Sequence, residues 1–146
     1  VMVQSEVGQR LAAKPGSKVY GVPSVKVAWW GDWSLEGTVS RKIFWPEPNV
    51  DSVLVGMTAH DPSAKIPGTD AVIGDEPLRR KVFALVDAAF GQRRKMLRQS
   101  LALPFLSSER AIRALEMAGI DPTLRGEQLG IDAYMRLASI DTSTLG

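Results

Sequence analysis

The hydrophobic pattern of the sequence changes across residues 59–76, and this change constrains the fold more than any other feature. Before this stretch, short apolar runs fit strands and helices in turn, whereas after Pro77 apolar residues recur at helical spacing throughout. The stretch itself contains prolines and glycines and few large apolar side chains, which is typical of a linker. We therefore predict an α+β domain over residues 1–58, a linker over 59–76 and a small all-α helical domain over 77–146.

The first domain is predicted to contain strands and helices in alternation. Residues 1–4 fit the last residues of a buried strand, and a helix follows that ends at residues 14–16. Residues 23–30 fit either a short helix or a strand, because their apolar side chains match both periods. Residues 33–39 alternate apolar and polar side chains as a half-buried strand does, and residues 50–57 fit a more buried strand.

The first six residues lack an initiator Met and a signal-peptide pattern, and they fit the middle of a structural element. We therefore expect the chain to be a fragment of a longer protein. A sheet interrupted in this way would expose strand edges, which favour self-association. No apolar run approaches the roughly 18 residues that span a bilayer, so no membrane anchor is expected.

The second domain is predicted to form three or four helices. Residues 78–101 fit one long helix with apolar residues at helical spacing, ended by Pro104. Ser108 is a candidate N-cap for the next helix, which Gly119 stops. A last helix is predicted over residues 129–137.

The long helix predicted over residues 78–101 carries a strong excess of positive charge. Its Lys and Arg residues face a single acid, Asp87, whereas the whole chain has a net charge of only +2. Such a run is commonly a solvated helix face, but here the cations flank an apolar stripe and would present a positive ridge to phosphates. We interpret the ridge as a nucleic-acid-binding surface formed by Arg79, Arg80, Lys81, Arg93, Arg94, Lys95 and Arg98.

The segment Phe44-Trp45-Pro46-Glu47-Pro48 is predicted to form a stiff, extended loop. Two prolines at alternate positions fix two φ angles and remove two backbone donors. The side chain of Phe44 is therefore held in place whether it points into the core or outward. In the first case the aromatic residues cover the core. In the second, Phe44 with Pro46 and Pro48 forms a platform on which a flipped base stacks, and both interpretations stay open.

The remaining candidates for chemistry are weak. The chain has no Cys, which excludes thiol chemistry and cysteine-ligated zinc. His60, the sole histidine, lies beside Asp61 in linker-like sequence and is interpreted as a surface residue. Asp51 and Ser52 have no buried histidine with which to form a triad, so we assign no catalytic residue and no metal site. An aromatic cluster is interpreted as core packing and consists of Trp29, Trp30 and Trp33.

Several motifs follow one another in an order that resembles the ribosomal RNA adenine dimethyltransferases. The most specific combination is the Phe-x-Pro-x-Pro loop followed by a Gln-Arg-Arg-Lys segment. The resemblance covers nearly the whole chain except residues 59–76, and Gly126 departs from it by standing where the family commonly has Ala or Pro. The matching segments are Gln4-Ser5-Glu6-Val7, Lys14-Pro15-Gly16-Ser17, residues 44–52, residues 90–95, and Arg125 with Glu127.

The resemblance implies the last strands and helices of a Rossmann-like methyltransferase domain, followed by a small helical domain. The parent enzyme would transfer methyl groups from S-adenosylmethionine to the exocyclic amines of two adjacent adenines in small-subunit rRNA. Its partner would be a precursor of the small ribosomal subunit and its location the cytoplasm. The resemblance further implies that Phe44 packs against the target adenine and that Arg93, Arg94, Lys95 and Arg98 face RNA.

The donor-binding motifs of the family are not found in these residues. The family's glycine-rich loop, its ribose-binding acid and its Asn-Leu-Pro-Tyr-type motif would all precede Val1, and Gly68 and Gly74 follow no predicted strand. We therefore assign no cofactor-binding residues and expect the chain alone to be inactive and not to bind S-adenosylmethionine. The alternative is a non-catalytic nucleic-acid-binding module of the same fold. A helix-turn-helix regulator is disfavoured because the strand-rich first part would then have no role.

Overall fold

The computed structural model of the chain describes residues 1–66, 69 and 71–145. The chain divides into two compact units, Val1–His60 and Asp61–Gly146, which are called unit 1 and unit 2 below. Each unit has its own buried apolar residues. Strands occur in unit 1, and unit 2 consists of helices and turns over the residues described.

Unit 1 contains an antiparallel sheet of strands β1 (Met2–Gln4), β2 (Gly31–Val39) and β3 (Ser52–Ala59). The strands lie in the order β1–β3–β2, and β3 is antiparallel to both neighbours, so β1 and β2 run in the same direction. The pairing of β2 with β3 shifts by one residue between Leu35 and Gly37. Because β1 and β2 are the outer strands, each has one edge that no strand of unit 1 covers.

Two helices of unit 1, α1 (Ser5–Leu11) and α2 (Val22–Ala28), confirm the predicted junction after β1 and select the helical alternative for residues 23–30. The hydroxyl of Ser24 accepts a hydrogen bond from the amide of Gly21 (3.1 Å) and donates one to the carbonyl of Arg10 (2.5 Å). Pro23 lies in the first turn of α2, where its missing N–H would have no partner in the helix. Ser24 therefore starts α2 and ties it to α1.

Strand β1 is less buried than the sequence predicts, and β3 is buried on one face. Val53 and Val55 are buried on β3, but Leu54 between them is 41% exposed, and Met2 on β1 is 49% exposed. The cause is that α1 packs on one face of the sheet, where the missing side chain of Gly8 lets the helix approach Val53 closely. Alternate residues of the strands point to the opposite face, so the prediction of a buried strand was wrong for β1, whereas β3 buries Val53 and Val55.

The predicted aromatic cluster is divided between the core and the surface of unit 1. Trp29 is 1% exposed and belongs to the core, as predicted, whereas Trp30 is 49% exposed. Trp33 is half-buried, and its indole N–H donates to the carbonyl of Val27 at 2.8 Å. Burial of Tyr20 raises the pKa of its phenol to about 12. Of the three clustered tryptophans, Trp29 alone is fully buried in the core of unit 1.

Unit 2 contains helices α3 (Glu76–Gly91), α4 (Leu97–Ser100), α5 (Ser108–Met117) and α6 (Ile131–Ala138) over the residues described. Asp75 caps α3, because its carboxylate accepts the amide of Leu78 at 3.1 Å. The helices share an apolar core whose fully buried members include Val82, Val86, Leu97, Leu115, Tyr134 and Leu137. Gly119, with φ of +74°, follows the end of α5 as predicted.

The long helix predicted over residues 78–101 is broken, and this is the main correction to the sequence analysis. Helix α3 ends at Gly91, and Gln92 has the non-helical angles φ −131° and ψ 62°. The amides of Leu97 and Arg98, at the start of α4, donate to the carbonyls of Leu124 (2.7 Å) and Pro122 (3.2 Å). These partners replace the hydrogen bonds that a continuous helix would have made.

Two smaller predictions for unit 2 also need correction. The N-cap of α5 is Ser107 and not Ser108, because the hydroxyl of Ser107 accepts the amide of Arg110 at 3.1 Å. In the predicted linker, Lys65 and Val72 form an isolated antiparallel bridge and Ile66 is 1% exposed, so this segment contributes to the core of unit 2. Other parts of that segment, Pro67, Gly68 and Asp70, and also Gly146, lie outside the described residues.

Candidate nucleic-acid interface

The break after α3 divides the predicted basic ridge into two groups of cations. Arg79, Arg80 and Lys81 lie in the first turns of α3, whereas Arg93, Arg94, Lys95 and Arg98 lie beyond its end. The two groups are about 20 Å apart along the helix axis, at 1.5 Å per residue. The seven predicted residues therefore form two groups and not one continuous helical ridge.

An acidic side chain pairs with one of the three cations at the start of α3. The guanidinium of Arg79 donates to Glu76 at 2.8 Å, and this contact lowers the pKa of the Glu76 carboxyl. The same guanidinium lies 5.0 Å above the ring of Phe83. Lys81 is near Asp141, whose pKa is lowered first by hydrogen bonds from Ser143 and further by this lysine.

A cavity of about 620 Å³ adjoins the same end of α3. Its lining includes two cations, Lys81 and Arg136, and two acids, Asp75 and Asp141. The Nε of Arg136 donates to the carbonyl of Ala118 at 3.2 Å, so this side chain forms a hydrogen bond with the C-terminal end of α5. Because both signs of charge line the cavity, it is not suited to a polyanion.

The second group forms a compact basic turn between α3 and α4. We call Arg93, Arg94, Lys95 and Arg98 the α3–α4 basic cluster. The turn is closed by the amide of Lys95, which donates to the carbonyl of Gln92 at 3.0 Å. Its far end is fixed by the hydrogen bonds from α4 to Leu124 and Pro122 described above. The cluster is therefore held by backbone contacts that leave its side chains at the surface.

The α3–α4 basic cluster retains most of its positive charge. Arg93 lies 5.5 Å above the ring of Phe90, and its guanidinium is 3.5 Å from a carboxylate oxygen of Glu127. Arg94, Lys95 and Arg98 are exposed and form no ion pair with any residue that the structure describes. Three exposed cations and one partly compensated arginine suit contact with several phosphates.

Arg125 adds a fifth cation that the sequence analysis did not assign to this surface. It is exposed, and it follows Leu124, whose carbonyl accepts the amide of Leu97 at the start of α4. Its own amide donates to the side chain of Gln128 at 2.9 Å, which begins a 3₁₀ turn over Gly126–Gln128. The sequence signal was present, because Arg125 belongs to a motif of the resemblance, but its distance in sequence from residue 98 concealed the proximity.

Gly126 allows the segment that carries Arg125 to approach α3. A Cβ atom at this position would lie 2.8 Å from the Cβ of Ala89 and 2.9 Å from the hydroxyl of Tyr134. That hydroxyl donates to the carbonyl of Gly126 at 2.9 Å. The departure from the family pattern at Gly126 thus has a steric reason in this chain.

The predicted aromatic loop of unit 1 places its two aromatic residues in different environments. A 3₁₀ turn over Arg41–Ile43 precedes the loop, and Phe44 directly after it is half-buried. Trp45 is 96% exposed, so it does not cover the core. Pro46 and Pro48 are both exposed. The loop therefore keeps Phe44 partly accessible and presents Trp45 fully, a difference that the sequence analysis missed.

The weak candidates stay without a site. The imidazole of His60 is 3.2 Å from the carbonyl of Ala28 and 3.9 Å from Asp32, while Asp61 accepts hydrogen bonds from Ser63 instead. Among the described residues, no group of three or more His, Asp or Glu could hold a metal ion. Over the same residues, the longest helices are too short or too polar to cross a membrane.

The backbone of the helix that follows β1 is closed to a ligand at its first glycine. Gly8 lies in α1 after β1, and the space beside its Cα is filled by the side chain of Val53. A cavity near Trp33 has a volume of about 50 Å³. Sites for small organic ligands are typically about 300–1,000 Å³.

The chain is similar in sequence to ribosomal RNA methyltransferases. The ribosomal RNA small subunit methyltransferase A of Leifsonia xyli subsp. xyli is 60% identical over 139 residues, and that of Paenarthrobacter aurescens is 52% identical over 138 residues. These matches cover 95% and 94% of this chain but 46% and 44% of the relatives. The chain therefore spans less than half the length of the curated relatives it matches.

Solved structures define the class of fold, and a family model defines the family. A dimethyladenosine transferase from Plasmodium falciparum matches with a TM-score of 0.72 at 19% identity, covering 93% of this chain and 54% of that one. The 23S rRNA methyltransferase ErmE matches with a TM-score of 0.63 at 18% identity, covering 94% and 51%. At such identities the likeness shows the fold alone, which is part of a methyltransferase-type fold.

The family follows from the sequence itself. A family model described as ribosomal RNA adenine dimethylase matches residues 1–140. The chain belongs to this family, which confirms the resemblance drawn from its motifs.

Proposed function

We propose that this chain is the RNA-contacting part of an S-adenosylmethionine-dependent rRNA adenine dimethyltransferase. The parent protein would dimethylate two adjacent adenines of small-subunit rRNA within a precursor of the small ribosomal subunit in the cytoplasm. Membership of the ribosomal RNA adenine dimethylase family supports the reaction class. The names of the relatives support the small subunit as the substrate.

The observation that carries the proposal for this chain is the exposed α3–α4 basic cluster. Arg94, Lys95 and Arg98 are exposed, and the hydrogen bonds from α4 to Leu124 and Pro122 hold the turn that bears them. A fixed set of cations loses less conformational entropy on binding than the same residues on a mobile segment. We propose that this cluster, with Arg125, binds the RNA backbone.

The other predicted residues have secondary or different roles in this proposal. Among the cations at the start of α3, Arg79 contributes less to RNA binding, since Glu76 forms an ion pair with it. Phe44, supported by Pro46 and Pro48, packs against the target adenine after it leaves the RNA helix. Donor binding and the acceptor motif for the amine belong to the part of the parent that this chain does not include.

The proposal is tested by measuring RNA binding as a function of salt. The probe is a hairpin of small-subunit rRNA that contains two adjacent unpaired adenines. Each neutralised phosphate contributes about 0.7–0.9 to the slope of log affinity against log salt. The double variant R94A/K95A should therefore lower the slope by about 1.4–1.8 and weaken binding at low salt.

The double variant R80A/K81A is the matched control, because it removes the same charge from exposed positions at the other end of α3. We expect a clearly smaller change in slope for this control. Equal slopes for wild type and R94A/K95A would mean that the cluster is only a solvated surface. The alternative of a non-catalytic binding module predicts the same binding data but no methylation by the full-length parent with S-adenosylmethionine.

A further inference from the structure

Trp45 is the most exposed large apolar side chain among the residues that the structure describes. It is 96% exposed, and its neighbour Ile43 on the same loop is 71% exposed. An indole ring loses favourable burial when it is kept in water, since aromatic side chains bury large areas in protein cores. The loop that carries Trp45 thus presents a flat aromatic surface with no packing role in unit 1.

Polar contacts on both sides of Trp45 fix the loop that presents it. The hydroxyl of Ser40 accepts the amide of Lys42 at 3.2 Å, and the carboxylate of Asp51 accepts the amide of Arg41 at 2.9 Å. The guanidinium of Arg41 donates to the carbonyl of Asn49 at 3.1 Å. These bonds join the residues before the aromatic pair to those after it.

Two basic residues precede Trp45 in this segment, and they differ in whether an acid compensates them. Arg41 lies 3.4 Å from Glu47, so these two charges compensate each other. Lys42 is exposed and forms no ion pair with any residue that the structure describes. The segment therefore combines the exposed Trp45 ring with the uncompensated ammonium group of Lys42, three residues before it. A nucleotide offers the complementary pair, a base with a π-face and a phosphate.

We propose that Trp45 stacks on an unpaired RNA base next to the target adenine and that Lys42 contacts the phosphate of that nucleotide. The inference rests on the proposed function, because it takes RNA as the ligand. Phe44 and Trp45 then have separate tasks: the half-buried ring packs on the target base and the exposed ring holds a flanking one. Stacking tolerates any base, so Trp45 recognises the unpaired state of the nucleotide and not its identity.

The test uses the rRNA hairpin with two adjacent unpaired adenines, now labelled with fluorescein, and measures its binding to the chain by fluorescence anisotropy. Trp45→Ala should weaken binding by about 5- to 150-fold, the range typical of losing one base–aromatic stack. Trp45→Phe should recover part of this loss because it keeps a ring. Ile43→Ala is the matched control, since it removes an exposed apolar side chain from the same loop, and it should change affinity less than about twofold.

The salt dependence separates this inference from the proposed function. Trp45→Ala should leave the slope unchanged because stacking releases no counterions, whereas R94A/K95A lowers it and Lys42→Ala lowers it by about 0.7–0.9. Wild-type affinity in Trp45→Ala together with a normal effect of R94A/K95A would overturn the inference and leave the proposed function intact. If neither Trp45→Ala nor R94A/K95A weakens RNA binding, both the inference and the proposed function are overturned. If Trp45→Ala alters only the sedimentation behaviour of the chain, the ring is a protein contact and the inference is wrong.

Discussion

Phe44 and Trp45 are adjacent in sequence but differ in burial. Their proposed roles therefore differ, and each role needs its own experiment. Phe44 is half-buried, and we propose that it packs on the target adenine in the full-length enzyme. One base–aromatic stack contributes about 1–3 kcal/mol, so Phe44→Ala should slow single-turnover methylation about 5- to 150-fold without changing donor affinity. Phe44→Tyr and Phe44→Trp should retain more activity than Phe44→Ala.

A packing role for Phe44 predicts a different pair of measurements. Truncation of a fully buried Phe costs about 3–5 kcal/mol, and a half-buried one should cost less. Melting temperature and turnover per folded molecule should be measured on the same preparation. A strongly destabilised Phe44→Ala enzyme with normal turnover per folded molecule would contradict the stacking role.

At Gly126 this chain departs from the family pattern, and close packing against Ala89 and Tyr134 explains the glycine. The same packing allows a prediction about stability. Gly126→Ala would place a Cβ 2.8 Å from Ala89 and 2.9 Å from the Tyr134 hydroxyl. We expect it to destabilise unit 2 by about 1–3 kcal/mol, as overpacking does. Urea denaturation followed by circular dichroism at 222 nm measures this change.

Gly91→Ala is the control for Gly126→Ala, because nothing lies within 4 Å of a Cβ at Gly91 and its φ is not positive. A Gly to Ala change at such a position stabilises a protein by about 0.4–1 kcal/mol through the unfolded state. Opposite signs for the two variants are the expected result. A neutral Gly126→Ala would show that the turn can move away from α3 at little cost.

At the level of elements, the Arg93–Glu127 contact links the basic turn to the 3₁₀ turn that precedes α6. An exposed ion pair of this kind contributes only about 0–1 kcal/mol to stability. Its carboxylate, however, lies within a Debye length of the phosphates that the cluster would bind, which is about 10 Å at 0.1 M salt. Glu127→Gln should therefore tighten RNA binding about two- to fivefold at low salt while leaving the melting temperature almost unchanged.

Glu76→Gln is the matched control for Glu127→Gln. Glu76 also contacts an arginine, Arg79, but at the start of α3, about 25 Å along the helix direction from the basic cluster. At that distance salt screens its effect, so its RNA affinity should match that of wild type. Equal tightening by both variants would indicate that only the net charge of the chain matters.

The same elements show how far sequence patterns can predict this structure. Periodicity located β2, β3, α5 and α6 to within a few residues, because each buries one face and its residues repeat accordingly. Periodicity did not predict the end of α3 at Gly91, because apolar residues continue at helical spacing across the break. The hydrogen bonds that stabilise the break come from Pro122 and Leu124, which no local pattern connects to α4.

The candidate site was predictable in its residue types but not in its arrangement. Charge and motif indicated Arg93, Arg94 and Lys95 correctly as a surface group, since all three are exposed. The division of the ridge, the compensation of Arg79 by Glu76 and the proximity of Arg125 depend on tertiary contacts. The exposure of Trp45 likewise depends on how polar contacts hold its loop, which a proline motif does not specify.

At the scale of the whole molecule, the two units carry separate spectroscopic probes. All four tryptophans, at positions 29, 30, 33 and 45, lie in unit 1, whereas the longest helices, α3, α5 and α6, lie in unit 2. Tryptophan fluorescence therefore reports unit 1, and circular dichroism at 222 nm reports mainly unit 2.

We predict two separate unfolding transitions in urea. Unit 1 comprises residues 1–60, and domains of that size bury a smaller fraction of their surface and are only marginally stable. It also exposes Met2, Leu35 and Leu54, which a larger sheet could bury. The fluorescence midpoint should lie about 1 M urea or more below the circular-dichroism midpoint, since a difference of 1–3 kcal/mol corresponds to about that much urea.

Two glycine substitutions make this prediction specific to each unit. Gly8→Ala adds a Cβ that contacts the Val53 side chain in unit 1, and Gly126→Ala adds one that contacts Ala89 in unit 2. Each should shift the transition of its own probe and leave the other in place, because mutations that share no contacts act independently. The curves should be repeated at several protein concentrations, since self-association through β1 or β2 would raise the fluorescence midpoint with concentration. If both variants moved both curves by the same amount, the chain would unfold as one cooperative domain and the division at His60 would have no thermodynamic meaning.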